Sequence, residues 1–134
     1  GKTQDNYVWV RVKATSDCTF IDPSATSNGN GTRNSPYNTW AVVKIVKGKA
    51  YFQKRGTLNT FSIHFGANGT AGNEIIFGSY GTGERAEIAT DFSNSGIGFA
   101  GSYVQFYELA FSGNMYGIQT ETGDDNFAHT NCGF

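Results

Sequence analysis

Charge is scarce in this chain: 16% of its 134 residues are charged, and 10 basic residues against 11 acidic ones leave a net charge of −1. So even a balance gives no electrostatic drive toward nucleic acid or another polyanion. Two cysteines are too few for a disulfide scaffold, and Cys18 and Cys132 read either as one bridge closing a long loop or as two buried thiols. Two histidines, with no carboxylate or thiol at ligand spacing, give no metal site, and no Ser, Cys and His arrangement suggests a nucleophilic triad. No cofactor is therefore expected. No apolar run approaches the roughly 18 residues that a membrane span needs. The opening GKTQDNY has no hydrophobic stretch of signal-peptide length, so an extracellular or cell-surface protein would already have lost its leader.

What the chain has instead is glycine, at 18 positions, and aromatic residues, at 15%. Gly, Asn, Ser and Thr fill the gaps between short aromatic and β-branched runs, which reads as many short strands joined by tight turns. Residues 7–13, YVWVRVK, alternate with the period of a half-buried strand, placing Val8, Val10 and Val12 on one face and Trp9 on the other. A second strand around Cys18-Thr19-Phe20-Ile21 ends at Asp22-Pro23. Ser35-Pro36 and Asn38-Thr39 supply helix-start chemistry, and Trp40, Val43 and Val46 recur at the helical step, so the spacing predicts a short helix over 39–47. Gly48 suits the position just past its end.

From residue 50 onward the strands repeat. Val104, Phe106, Leu109 and Phe111 are matched 23 residues later by Phe127, His129, Cys132 and Phe134, and Gly96-Ile97 is matched 21 residues later by Gly117-Ile118. Ala86 and Ile88 precede Leu109 and Phe111 by the same 23 residues. Ile75 and Phe77 take the place of Val104 and Phe106, and Ile63 and Phe65 that of Ile97 and Phe99. A period in the low twenties with three strands per period is the pattern of a β-solenoid, whose apolar residues stack from coil to coil. The expected fold is all-β: a right-handed parallel β-helix of about three coils in a single domain, residues 1–134. It divides into an N-terminal strand over 1–16, a cap over 17–60 holding the 39–47 helix, and coils over 61–134.

The stretch FIDPSATSNGNGTRNSPYNTWAVV, then FQKRGT, then ANGTAGNEIIFGSYGTGERAEI resembles the start of secreted pectate-lyase-like right-handed β-helix proteins. In that family an Asp-Pro or Ser-Pro strand leads into a Gly/Asn loop and a capping helix, followed by a rung of the form GTAGNxIxFxSYGTG. The likeness covers roughly residues 20–134 and leaves out YVWVRVK. It implies the fold and an extracellular habit. It implies no catalytic residue here, because the family's active sites usually lie on later coils.

The candidate sites are modest. Outward Tyr80, Tyr103, Tyr107 and Tyr116 are candidates for stacking against sugar rings, or else for corner packing. Asn30 and Asn68 head Asn-Gly-Thr acceptor patterns for N-glycosylation. Asp124-Asp125 in TGDDN reads first as a turn former, and only secondarily as an acid–base pair or calcium ligand. Lys44, Lys47, Lys49, Lys54 and Arg55 read as a solvated face rather than a glycan contact. His64 is expected to point outward and His129 inward.

The sequence stops on HTNCGF in mid-pattern, which would leave the last coil's Cys132 and Phe134 to be covered. Assembly of copies into a homo-oligomer or filament is the expectation this favours, with Val8, Trp9, Val10 and Val12 adding to the open edge of a neighbour. The primary expectation is therefore an extracellular structural protein. The alternatives are the N-terminal fragment of a polysaccharide lyase or glycoside hydrolase, and a glycan-binding module.

Overall fold

Parallel strands need long connections, and among the described residues this chain makes them with loops rather than with crossover α-helices. The computed structural model describes residues 14–90, 94–113, 116–120 and 127–134. Eleven strands lie within them: β1 (Cys18–Ile21), β2 (Ala50–Lys54), β3 (Leu58–Asn59), β4 (Ile63–Phe65), β5 (Ile75–Tyr80), β6 (Ala86–Ile88), β7 (Ser95–Phe99), β8 (Val104–Tyr107), β9 (Leu109–Phe111), β10 (Tyr116–Thr120) and β11 (Phe127–Thr130). They form three parallel sheets, ordered β1-β2-β5-β8-β11, β4-β7-β10 and β3-β6-β9. From β4 to β11 the chain visits the three sheets in fixed rotation. No described helix is long and apolar enough to cross a membrane.

The registers follow the sequence repeat. Val104 lies opposite Phe127 and Phe106 opposite His129. Ile97 lies opposite Ile118, Ile63 opposite Ile97, and Phe65 opposite Phe99. Ile75 and Phe77 pair with Val104 and Phe106, and Ala86 and Ile88 with Leu109 and Phe111. An isolated parallel bridge between Ala110 and Gly133 carries the same register to the last described residues. Parallel, in-register pairing puts like side chains above one another, so the core is a set of ladders. Phe77 stacks on Phe106 with ring centroids 5.4 Å apart, and Phe65 on Phe99 at 5.5 Å. Phe77, Phe99 and Phe106 are completely buried, each removing an aromatic side chain from water.

The segment expected as a cap contributes β1 and β2 to the same five-stranded sheet. The helix predicted over 39–47 is a single 3₁₀ turn, Trp40–Val42. Its start is capped as expected, Thr39 Oγ1 accepting from the Ala41 N–H at 3.1 Å, but Val43 is already extended. The reason lies in partners from elsewhere in the chain. Tyr51 Oη accepts from the Val46 N–H at 2.8 Å and donates to the Lys44 carbonyl at 2.9 Å. Those backbone groups are satisfied without a helical ladder, and the β-branched run Val42-Val43-Ile45-Val46 gains little from one. Trp40 is buried against Phe77, and its indole N–H donates to Gln53 Oε1 at 2.8 Å.

Candidate groove on the outer face

Strand β2, AYFQK, is buried at every position but the last, and β5, IIFGSY, at its first four. Side chains alternate across a strand, so such runs are covered on both faces. Tyr51, Gln53, Phe77 and Phe106 point inward. Phe20, Ala50, Phe52 and Ile76 form a second apolar cluster on the outer face, with Cys18, Tyr80 and Tyr107 packed against it.

This outer cluster floors a groove of about 340 Å³. Its floor and walls are Phe20, Phe52, Tyr80 and Tyr107, and Gly78 leaves the gap between them. A Cβ at Gly78 would lie 3.2 Å from the Phe52 ring, so glycine is what allows that ring to lie over the strand. The Phe20 and Tyr80 rings meet edge to face at 5.0 Å. The exposed Arg33 guanidinium lies 5.3 Å from the Tyr80 centroid and 5.8 Å from that of Phe20, extending the wall by cation–π contact. Burial and the Asp22 charge push the Tyr80 phenol pKa up, Arg33 partly offsetting them.

One rim is polar. Arg55 and Glu108 form an ion pair there, and Arg55 also donates to the Gly83 carbonyl at 3.3 Å. Asn131 Nδ2 donates to Glu108 Oε1 at 3.3 Å, and Arg85 to Asn131 Oδ1 at 2.7 Å. Ser79 Oγ donates to the Glu108 carbonyl at 2.6 Å. Beside the groove, Lys54 Nζ bonds Asp22 Oδ2 at 2.9 Å. Burial pushes the Asp22 carboxyl upward. Hydrogen bonds from the Ser24 hydroxyl, Lys54 and the Ser24 N–H outweigh it and hold the pKa below the usual range.

Of the four tyrosines singled out in the sequence, Tyr80 and Tyr107 line the groove. Tyr103 sits at a corner with φ of 57°, and Tyr116 is exposed on β10 in another sheet. Asn30 and Asn68 are exposed; Asn30 Oδ1 accepts from Thr32, and Asn68 Oδ1 from the Ser102 N–H. Neither cysteine is in a disulfide, and burial raises the Cys132 thiol pKa. Phe134 is exposed while stacking on Phe111 at 5.2 Å. His64 is exposed beside Ser62, and His129 is exposed on β11. Lys49, Lys54 and Arg55 each have a carboxylate partner, which leaves Lys44 and Lys47 of that basic cluster without a described ion pair. Among the described residues no three of His, Cys, Asp and Glu gather as metal ligands. Val8, Trp9, Val10 and Val12, and Asp124-Asp125, lie outside the described residues.

The sequence reading missed Phe20, Phe52, Arg33, Arg55 and Glu108 as site residues. The available signal was the unbroken apolar character of β2 and the start of β5, which marks a strand covered on both faces.

No family profile and no curated protein matches the chain. The solved structures that do match include the GH136 lacto-N-biosidase from Eubacterium ramulus as native protein, with a TM-score of 0.64 and 17% identity, and its selenomethionine derivative, with 0.63 and 16%. The match covers 82% and 83% of this chain respectively, and 22% of the neighbour's chain in each case. The likeness is one of fold. It corrects the expectation of a filament-forming structural subunit, because the similar structures belong to a carbohydrate-active enzyme. That expectation rested on an uncovered last coil. The chain spans about a fifth of the neighbour's length, and the exposure of Phe134 alone is no evidence for contact between copies.

Proposed function

We propose that this chain is part of a carbohydrate-active enzyme, built as an extracellular right-handed parallel β-helix of the pectate-lyase-like kind, and that its outer groove holds an oligosaccharide. The observation that carries the reading is the groove: four aromatic rings beside a rim of paired charges. Sugars present apolar C–H faces and polar hydroxyl edges, and this surface offers a partner for each. The rotation of strands through three parallel sheets and the likeness to a lacto-N-biosidase both support it. The groove is lined from β1, β2, β5, β8 and β11, about 19 Å at the usual strand spacing, which suits a short oligosaccharide rather than a single sugar. No residue is assigned a catalytic role, since Glu108, the carboxylate among the described lining residues, is ion-paired with Arg55.

Calorimetric titration of the chain with neutral oligosaccharides tests the proposal. Tyr107→Ala and Tyr80→Ala are each expected to weaken binding up to about tenfold, the worth of one stacking contact. Binding that both substitutions leave unchanged, in variants whose melting temperature shows them folded, would overturn it.

A further inference from the structure

The corner between β8 and β9 holds Glu108 at φ of +54°, and the same corner one coil later holds Asn131 at +53°. Both corners therefore hold a left-handed residue at this position, although the two side chains differ. Asn tolerates that conformation far better than Glu, whose longer side chain cannot bond its own backbone in the same way. Backbone preference would put Asn at 108 as it does at 131. The choice of Glu needs another source, and the groove supplies one.

The Glu108 carboxylate lines the groove next to Tyr107, paired with Arg55 and touched by Asn131. A carboxylate has about four lone-pair sites, so these contacts leave acceptor capacity, and Arg55 carries five N–H donors. Side by side on one rim, they present an acceptor and a donor to the two hydroxyls of a vicinal pair. The charges of Glu108 and Arg55 offset each other, as do those of Lys54 and Asp22, while the exposed Arg33 guanidinium keeps its charge and lies against aromatic faces. A carboxylate at the rim also repels an acidic sugar.

Resting on the reading of the groove as a carbohydrate site, we infer that Glu108 and Arg55 are its specificity-determining pair and that they select a neutral sugar through its hydroxyls. Glu108 is held at a conformational disadvantage because an Asn there would not reach the ligand.

The test pairs affinity with stability. The whole chain is titrated with cellohexaose, xylohexaose and galactotetraose as neutral probes and tetragalacturonate as the acidic one, and the melting temperature of each variant is recorded. The wild-type chain is expected to bind at least one neutral probe and to prefer it to the acidic one. Glu108→Asn is expected to weaken that binding at least tenfold while the melting temperature holds or rises. Glu108→Gln, which keeps the length and loses the charge, is expected to fall between. If Glu108→Asn lowers the melting temperature by several degrees and leaves affinity unchanged, the ion pair is merely structural and the inference fails. Preference for tetragalacturonate would also overturn it, leaving the groove a carbohydrate site of other specificity. A wild-type chain that binds none of the probes would overturn both this inference and the reading beneath it.

Discussion

Gln53 is a fully buried amide on the inner face of β2, behind the groove. Its Oε1 accepts from the Trp40 indole at 2.8 Å, and its Nε2 donates to the Glu87 carbonyl at 3.0 Å and to the Thr57 carbonyl and hydroxyl at 3.2 Å each. Replacing it by Leu keeps the volume and removes every one of these bonds. Thr57 keeps other partners, since its hydroxyl donates to the Lys54 carbonyl and its carbonyl accepts from the Glu87 N–H. The Trp40 N–H is left buried without that acceptor. Orphaning a buried donor and losing the Glu87 bond cost about 3 kcal/mol together, and the added apolar burial returns about 1, for a net loss of about 2 kcal/mol. For a chain of this length that lowers the melting temperature by about 7 °C. Thermal unfolding of Gln53→Leu, Trp40→Phe and the double variant is the assay, with about 1 kcal/mol or more of coupling expected between the two sites. A Gln53→Leu chain within about 0.5 kcal/mol of wild type, or strictly additive losses, would refute the reasoning.

Two further outcomes follow from the same coordinates. The depressed pKa of Asp22 means that its stabilising contribution is complete above the unfolded value near 4 and is lost as pH falls through the lower folded value. Asp22→Asn is therefore expected to cost about 1–2 kcal/mol at pH 7, with the gap to wild type closing below about pH 4 in denaturant titrations; a gap that stays constant with pH would contradict the assignment. At Gly101 an added Cβ would sit 1.9 Å from the Ala67 carbonyl oxygen and 2.8 Å from its carbon, both backbone atoms that cannot step aside. Gly101→Ala is expected to cost about 3 kcal/mol, whereas Gly66→Ala, with nothing within 4 Å of its Cβ, is expected to be nearly silent in the same thermal melt.

The strand registers were legible because parallel pairing without slippage repeats apolar residues at a constant offset, and Val104, Phe106 and Leu109 carry that offset openly. The 39–47 segment was misread because Trp40, Val43 and Val46 recur at a helical step for a different reason. The backbone there takes its partners from Tyr51, which pairwise spacing cannot reveal. Half of the groove was legible as outward tyrosines. The rest comes from rungs with no repeat partner: Phe20 and Phe52 lie on β1 and β2, and Arg33 arrives from the loop between them. Only the folded sheet brings these residues together. Glu108 was hidden for a further reason, since a carboxylate at a corner looks like any solvated turn residue until its φ is known.

The outer face of the five-stranded sheet is the proposed sugar-binding surface. Backbone amide resonances followed during titration with a neutral oligosaccharide report its location directly. The expected result is saturable shifts at Gly78, Ser79, Tyr80, Tyr107 and Glu108, with His64 and Gly98 on the neighbouring sheet unmoved. Shifts centred on His64 and Gly98, or no shifts at millimolar sugar, would contradict it.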